Sequence, residues 1–165
     1  MKEMMTKEEV LYKLAAYCSS AERCVQDVEK KLQKADLSQE DNQQILHRLQ
    51  QEKFVDDRRY AFAFVNDKIR FNQWGRIKIA YELKKKAISS AYIDEALASI
   101  DEDEYTHQLT SILKRKQKGL KAKDKRERYV KLFRFAAGRG FAPAEITCCL
   151  KLLGNDEDLY SDDME

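Results

Sequence analysis

Proline occurs once, at Pro143, and glycine five times in 165 residues. Strand-rich sandwiches and barrels consume both residues in closely spaced turns, so this scarcity excludes them. With Ala, Leu, Lys, Glu and Gln abundant, the fold class expected is all-α. Cysteine is also sparse: Cys18, Cys24, Cys148 and Cys149 offer no Cys-x-x-Cys spacing. A vicinal pair on a helix suits a disulfide badly, and the thiols read as small buried hydrophobes in a reducing cytosol. The two histidines, His47 and His107, stand alone. No metal-ligand spacing, Gly-rich phosphate loop or Ser/His/Asp arrangement is present, so neither an enzyme nor a metal or other cofactor is expected. No apolar run approaches the roughly 18–20 residues of a membrane span. The first residues, Met1 to Glu9, lack the apolar core of a signal peptide. The expected setting is cytoplasmic, without a membrane partner.

What the chain has in excess is charge. Charged residues make up 36%, against about a quarter in ordinary domains. The net charge of +2 conceals a separation along the sequence. Residues 61–100 carry seven Lys/Arg against four acids. From Lys114 to Arg139 there are twelve Lys/Arg and only Asp124 and Glu127 as acids. From Asn155 to Glu165 there are six acids and no base. The middle and third quarter therefore suit phosphates or acidic surfaces, and the tail repels them.

Apolar spacing divides the chain into three cycles of three helices. In the first, Val10, Leu11, Leu14 and Cys18 mark one helix, and Ser19 or Ser20 offers the N-cap of the next, which carries Val25, Val28 and Leu32. Ser38 caps a third helix with Ile45, Leu46 and Leu49. The second cycle starts at Asp56-Asp57, whose carboxylates suit free helix amides. Its helices carry Tyr60, Ala61, Phe64 and Val65, then Ile79, Ala80, Leu83 and Ala87, then Ile93, Ala96, Leu97 and Ile100. The third follows Asp101 to Glu104 and carries Leu109, Ile112 and Leu113. Lys114 to Lys125 reads as a basic connection of partial mobility. A helix burying Tyr129, Leu132, Phe133 and Ala136 follows and stops at Gly138-Arg139-Gly140. Pro143 then opens a last helix with Ile146, Cys149, Leu150 and Leu153.

The pattern Leu32-x4-Leu37-Ser38 returns as Leu83-x4-Ile88-Ser89, a shift of 51, and Ile93 returns as Ile146, a shift of 53. A period near 50 suggests a tandem array. The repeats are placed at residues 8–55, 56–100 and 101–154, forming an elongated, curved array, with 155–165 as an acidic, disordered tail.

The central segment carries a resemblance. Phe54-x-Asp56-Asp57-x-Arg59-Tyr60-Ala61, then Phe64-Val65, and Gly75-Arg76-Ile77 with Glu82-Leu83-x-x-Lys86-Ala87-Ile88, resemble the RecX family of recombination regulators. The resemblance covers about residues 8 to 153 and implies three tandem three-helix repeats. It further implies a protein that binds the RecA filament and lowers its ATP hydrolysis, strand exchange and co-protease activity, so limiting recombination and the SOS response. Family members usually have Lys-Gly where this chain has Ala35-Asp36 and Lys86-Ala87, so those helices must stop without glycine's freedom.

Candidate contact residues follow from the charge map. Lys78, Lys85 and Lys86 are placed on one helical face, flanked by Arg76 and Lys84, with Lys68 and Arg70 preceding them. This face either meets phosphates and acidic protein or is simply solvated. In the third repeat Arg128, Lys131, Arg134 and Arg139 are expected to face away from the core. Phe135 projects among them, as a stacking or anchoring ring or as core under the basic connection. Phe54, Asp56, Asp57, Arg59 and Tyr60 read as structural, fixing the angle between repeats. Trp74, before Gly75, is a lid on the core or an exposed anchor. The expected protein is a monomer that holds the RecA filament and, weakly and through phosphates, single- or double-stranded DNA. The alternative is a helix-turn-helix-like transcriptional regulator, which would need Asn, Gln and Arg placed for base edges.

Overall fold

The computed structural model describes residues 5–161, with side chains through Gly154. Among the described residues there are nine α-helices and no strand, so the chain is all-α. The helices are α1 Lys7–Ser20, α2 Val25–Lys34 and α3 Gln39–Gln51, then α4 Asp57–Asp67, α5 Arg76–Lys85 and α6 Ser90–Ala98, then α7 Glu102–Lys118, α8 Lys125–Gly138 and α9 Pro143–Ser161. A short π-helix, Lys68–Asn72, joins α4 to α5. The expectation of a disordered acidic segment at 155–165 falls on residues whose side chains lie outside the described ones.

Most helices start where a side chain takes up otherwise orphaned amides. The Thr6 hydroxyl accepts from Glu9 N, Ser38 from Asp41 N, Asp101 from Glu104 N and Asp124 from Glu127 N. Asp56 accepts from Arg59 N at 3.1 Å, opening α4. Pro143 occupies the first position of α9, where its missing N–H removes a donor that would lack a partner.

The stops between the middle and last helix of each triplet are left-handed. Asp36 has φ 59°, Ala87 φ 61° and Gly140 φ 96°. The same backbone geometry thus recurs in each triplet, although glycine occupies the stop in only one. A β-carbon in this region costs roughly 1–2 kcal/mol. Ala87 is exposed, so adding nothing but conformational freedom there isolates that cost. Ala87→Gly is expected to raise the unfolding free energy by about 1 kcal/mol and the melting midpoint by about 2–4 °C. A midpoint unchanged or lowered in calorimetry would show that the left-handed stop is not strained.

Packing divides the chain into two compact units: Met1–Phe64 with Glu82–Ala96, and Val65–Tyr81 with Leu97–Glu165. The middle triplet is thus shared between them. In the first unit α1, α2 and α3 pack on one another around Val10, Leu14, Cys18, Val28, Leu32, Ile45, Leu49 and Val55. Phe54 is half-buried against this core. In the second unit α7, α8 and α9 pack on one another. Its buried side chains include Tyr105, Leu109, Leu113, Leu132, Ala136, Phe141 and Ile146.

Several local expectations are corrected. Ser19 and Ser20 end α1, their hydroxyls donating back to Ala15 O and Tyr17 O. The cap of α2 is Cys24, whose N–H is taken by Asp27 Oδ2 at 3.2 Å. The first part of the basic connection from Lys114 is helix, since α7 runs to Lys118, and only residues 119–124 join α7 to α8. Its lysines are good helix formers and complement the negative end of the helix dipole. Tyr129 is 42% exposed and Phe133 half-buried, so α8 buries only Leu132 and Ala136.

Candidate interaction surfaces

Helix α5 carries most of the cations singled out in the second triplet, and its first turn is held by atoms of the third. Gly75 N donates to Arg139 O at 2.8 Å, Arg76 N to the Tyr105 hydroxyl at 3.0 Å, and Ile77 N to Gly140 O at 3.0 Å. Those three amides are satisfied without water. The approach demands glycine, because a β-carbon on Gly75 would stand 2.3 Å from Gly140 O. The Arg76 guanidinium lies 4.1 Å over the Tyr105 ring, bonds Glu145 at 2.9 Å and also pairs with Glu102. Glu145 in turn accepts from Ala142 N at 2.9 Å and from the Tyr105 hydroxyl at 3.3 Å. Burial pushes the Tyr105 phenol far up, so it stays a neutral donor.

An analogous arrangement closes the first unit. Asp57 Oδ1 accepts from Val25 N at 2.8 Å, capping α2 from the start of α4. Burial raises the Asp57 carboxyl above its ordinary range, although the Val25 amide pulls the other way. Arg59 grips Glu22 through Nε at 2.9 Å and donates to Lys53 O and Phe54 O. Tyr60 is buried and stacks on Phe64 with ring centroids 5.8 Å apart. Lys86 lies beyond the end of α5 and bonds Asp27 at 2.8 Å. Burial works against the Asp27 carboxylate, but Lys86 and the Cys24 amide outweigh it and hold its pKa low; the same bond raises the Lys86 ammonium. Burial drives the Cys24 thiol up to about 11, leaving it an inert filler rather than a nucleophile.

The remaining cations sort differently. Lys84 and Lys85 are exposed, with Lys85 3.2 Å from Glu82. In the second unit Lys68 and Lys78 stand 4.8 Å and 4.4 Å over the Trp74 ring, which is half-buried beneath them. Arg70 lies 3.7 Å from Glu104. On α8, Arg134 is exposed, Arg128 half-buried, and Lys131 bonds Lys121 O and pairs with Glu127. Phe135 is half-buried between ordered cations: Lys116 is 5.1 Å and Arg139 5.2 Å from its centroid. Arg139 also donates to Asn72 O at 3.0 Å. A cleft of about 230 Å³ is lined by Gln73, Ile112, Arg115, Lys116, Phe135 and Arg139. The second unit thereby gathers Lys68, Trp74, Lys78, Phe135 and Arg139, with Arg115 and Lys116, around interleaved rings and cations.

Sequence reasoning did not single out three exposed apolar side chains of this unit. Phe71 is 80%, Ile77 55% and Tyr81 60% exposed. Ile77 and Tyr81 are four apart on α5, a spacing that puts them on one stripe with Lys84. That spacing was legible, whereas exposure was not, since it depends on what packs against α5 and not on spacing. Among the described residues no group of three His, Cys, Asp or Glu suits a metal, and no helix is long and apolar enough to cross a membrane.

Known proteins share this chain's sequence and fold. The regulatory protein RecX of Chlorobium phaeobacteroides strain BS1 is 39% identical over 111 residues, covering 67% of this chain and 71% of that one. The chain belongs to the RecX family. Residues 56–97 match the family model described as RecX, second three-helix domain. The regulatory protein RecX of Clostridium tetani is 32% identical over 122 residues, covering 73% of this chain but 53% of the relative, so this RecX-family chain spans about half of that protein. The crystal structure of RecX from Lactobacillus salivarius has the same fold, with a TM-score of 0.83 over 90% of this chain and 96% of that one at 19% identity. The family is regulatory, and three-helix repeats are its architecture.

Proposed function

We propose that this protein is a monomeric cytoplasmic regulator that binds the RecA nucleoprotein filament and inhibits its ATPase, strand-exchange and co-protease activities. Membership of a family of regulators named RecX supports the reading. The observation that carries it at the level of residues is the cationic surface of α7 and α8. There Arg115 and Arg134 are exposed, and Lys116 and Arg139 flank Phe135. Such a surface meets phosphates and acidic side chains through charge, while its ring supplies apolar area that lysines alone lack. Three repeats, with limits near residues 55 and 100, supply several contact surfaces in one chain, so modest affinities multiply along a polymer. The capping residues Asp56, Asp57, Arg59, Arg76 and Lys86 act within the fold, holding helix starts and ends that display the others.

The test is ATP hydrolysis by the cognate recombinase on single-stranded DNA, titrated with this protein at moderate salt. Inhibition well below one regulator per recombinase protomer is expected. Reversing Arg115 and Arg134 together to Glu is expected to weaken inhibition on the order of tenfold, with helicity unchanged. Inhibition appearing only when the DNA itself is saturated would mean competition for the strand. Absence of any effect would overturn the reading and direct attention to sequence-selective duplex binding.

A further inference from the structure

The π-helix Lys68–Asn72 is too rare a conformation to pass over, since such segments concentrate at functional positions. At its tip Phe71 is 80% exposed. The backbone that presents it is clamped. Gln73 takes a left-handed φ of 56°, and its N–H and that of Trp74 both donate to Lys68 O. Arg139 donates to Asn72 O at 3.0 Å, and Gly75 N returns a bond to Arg139 O at 2.8 Å. An apolar ring is therefore held in water on a fixed support, a conformation whose ordering cost precedes any binding event.

Its surroundings identify what the ring suits. Arg70 is its chain neighbour, and Lys68 and Lys78 stand over Trp74 three residues on. Gln73 leads into the cleft where Arg115, Lys116 and Arg139 surround Phe135. Glu104 lies 3.7 Å from Arg70 and offsets part of this charge. An exposed flat ring on a segment that carries cations before and after it matches a polymer that alternates aromatic faces with phosphates. A single strand offers both; a duplex hides its base faces inside the stack. We infer that Phe71 is the base-stacking platform of a single-stranded nucleic-acid site on the second unit, with Lys68, Arg70, Lys78 and Arg139 meeting the flanking phosphates. The inference deepens the filament reading, because a regulator that grips unpaired bases is directed to the strand on which a recombinase assembles.

The experiment measures binding of the full chain to a fluorescent oligothymidylate, to an abasic strand of equal length and to a duplex. Phe71→Ala is expected to weaken oligothymidylate binding about tenfold. Phe71→Trp should restore it, while binding to the abasic strand and the duplex should not change. Because Phe71 is exposed, an unaltered circular dichroism spectrum is expected and separates lost contact from lost fold. Equal affinity of Phe71→Ala and the parent chain for oligothymidylate would overturn the inference. If that variant kept strand affinity but lost inhibition of the recombinase, Phe71 would be an anchor for protein: the stacking site would fall and the filament reading would stand. Base-dependent binding by a parent chain that leaves the recombinase unaffected would do the reverse.

Discussion

Gly75→Ala is expected to lower the unfolding free energy by about 3 kcal/mol and the melting midpoint by about 6–12 °C. The added carbon would stand 2.3 Å from Gly140 O, 2.4 Å from its carbonyl carbon and 2.4 Å from Phe141 N. All three are backbone atoms, so no rotamer change relieves the overlap. The chain must part where Gly75 N and Ile77 N bond Arg139 O and Gly140 O, leaving two donors and two acceptors without partners. Gly140 adds its own restriction, with φ 96° and the Lys78 β-carbon 2.3 Å from where its own would lie. Hydrogen exchange locates the damage: the amides of Gly75 and Ile77 should lose protection before those of α1 to α3, which belong to the other unit. A midpoint within one or two degrees of the parent would show that the two segments separate at little cost.

How much of this was readable in advance depends on how local each signal is. Helix content, the three triplets and caps such as Ser38 and Asp101 follow from residues three or four apart, and they were legible. The left-handed stops were legible only as a period, because Asp36 and Ala87 carry no local mark of a positive φ as Gly140 does. The cap of α2 was misplaced to Ser19 or Ser20 because hydroxyls are favoured caps. The usable clue was Asp27, three residues after Cys24, which returns a carboxylate to the cap N–H. Asp57 was expected to serve its own helix and instead reaches Val25, a partner 32 residues away that no spacing announces. Tyr129 and Phe133 fit the apolar stripe of α8, but burial is decided by what α7 and α9 leave uncovered. Phe71 illustrates the converse, since an aromatic residue between Arg70 and Asn72 carries no sequence mark of facing water. Lys86 was grouped with Lys78 and Lys85 by helical spacing, yet the helix ends at Lys85 and the ammonium goes to Asp27.

Arg76 separates a structural cation from the contact surface it was grouped with. Its side chain is only 23% exposed and joins Glu102, Glu145 and the Tyr105 ring. Replacing it with Met keeps apolar bulk over Tyr105 but leaves Glu145 half-buried without its guanidinium. Arg76→Met is expected to cost about 2 kcal/mol, below the roughly 3–5 kcal/mol of a fully buried pair because water still reaches Glu102. Arg76→Lys should recover less than half, since an ammonium neither stacks flat on the ring nor bonds two carboxylates through a planar fork. The neighbouring Gly75→Ala acts on the same helix start, so the double variant should lose less than the sum of its parts. On the proposed function, Arg76→Met well below the melting midpoint should inhibit the recombinase as fully as the parent, while the Arg115 and Arg134 reversal should not. If Arg76→Met abolished inhibition at full helicity and unchanged stability, its guanidinium would belong to the partner and not to the fold.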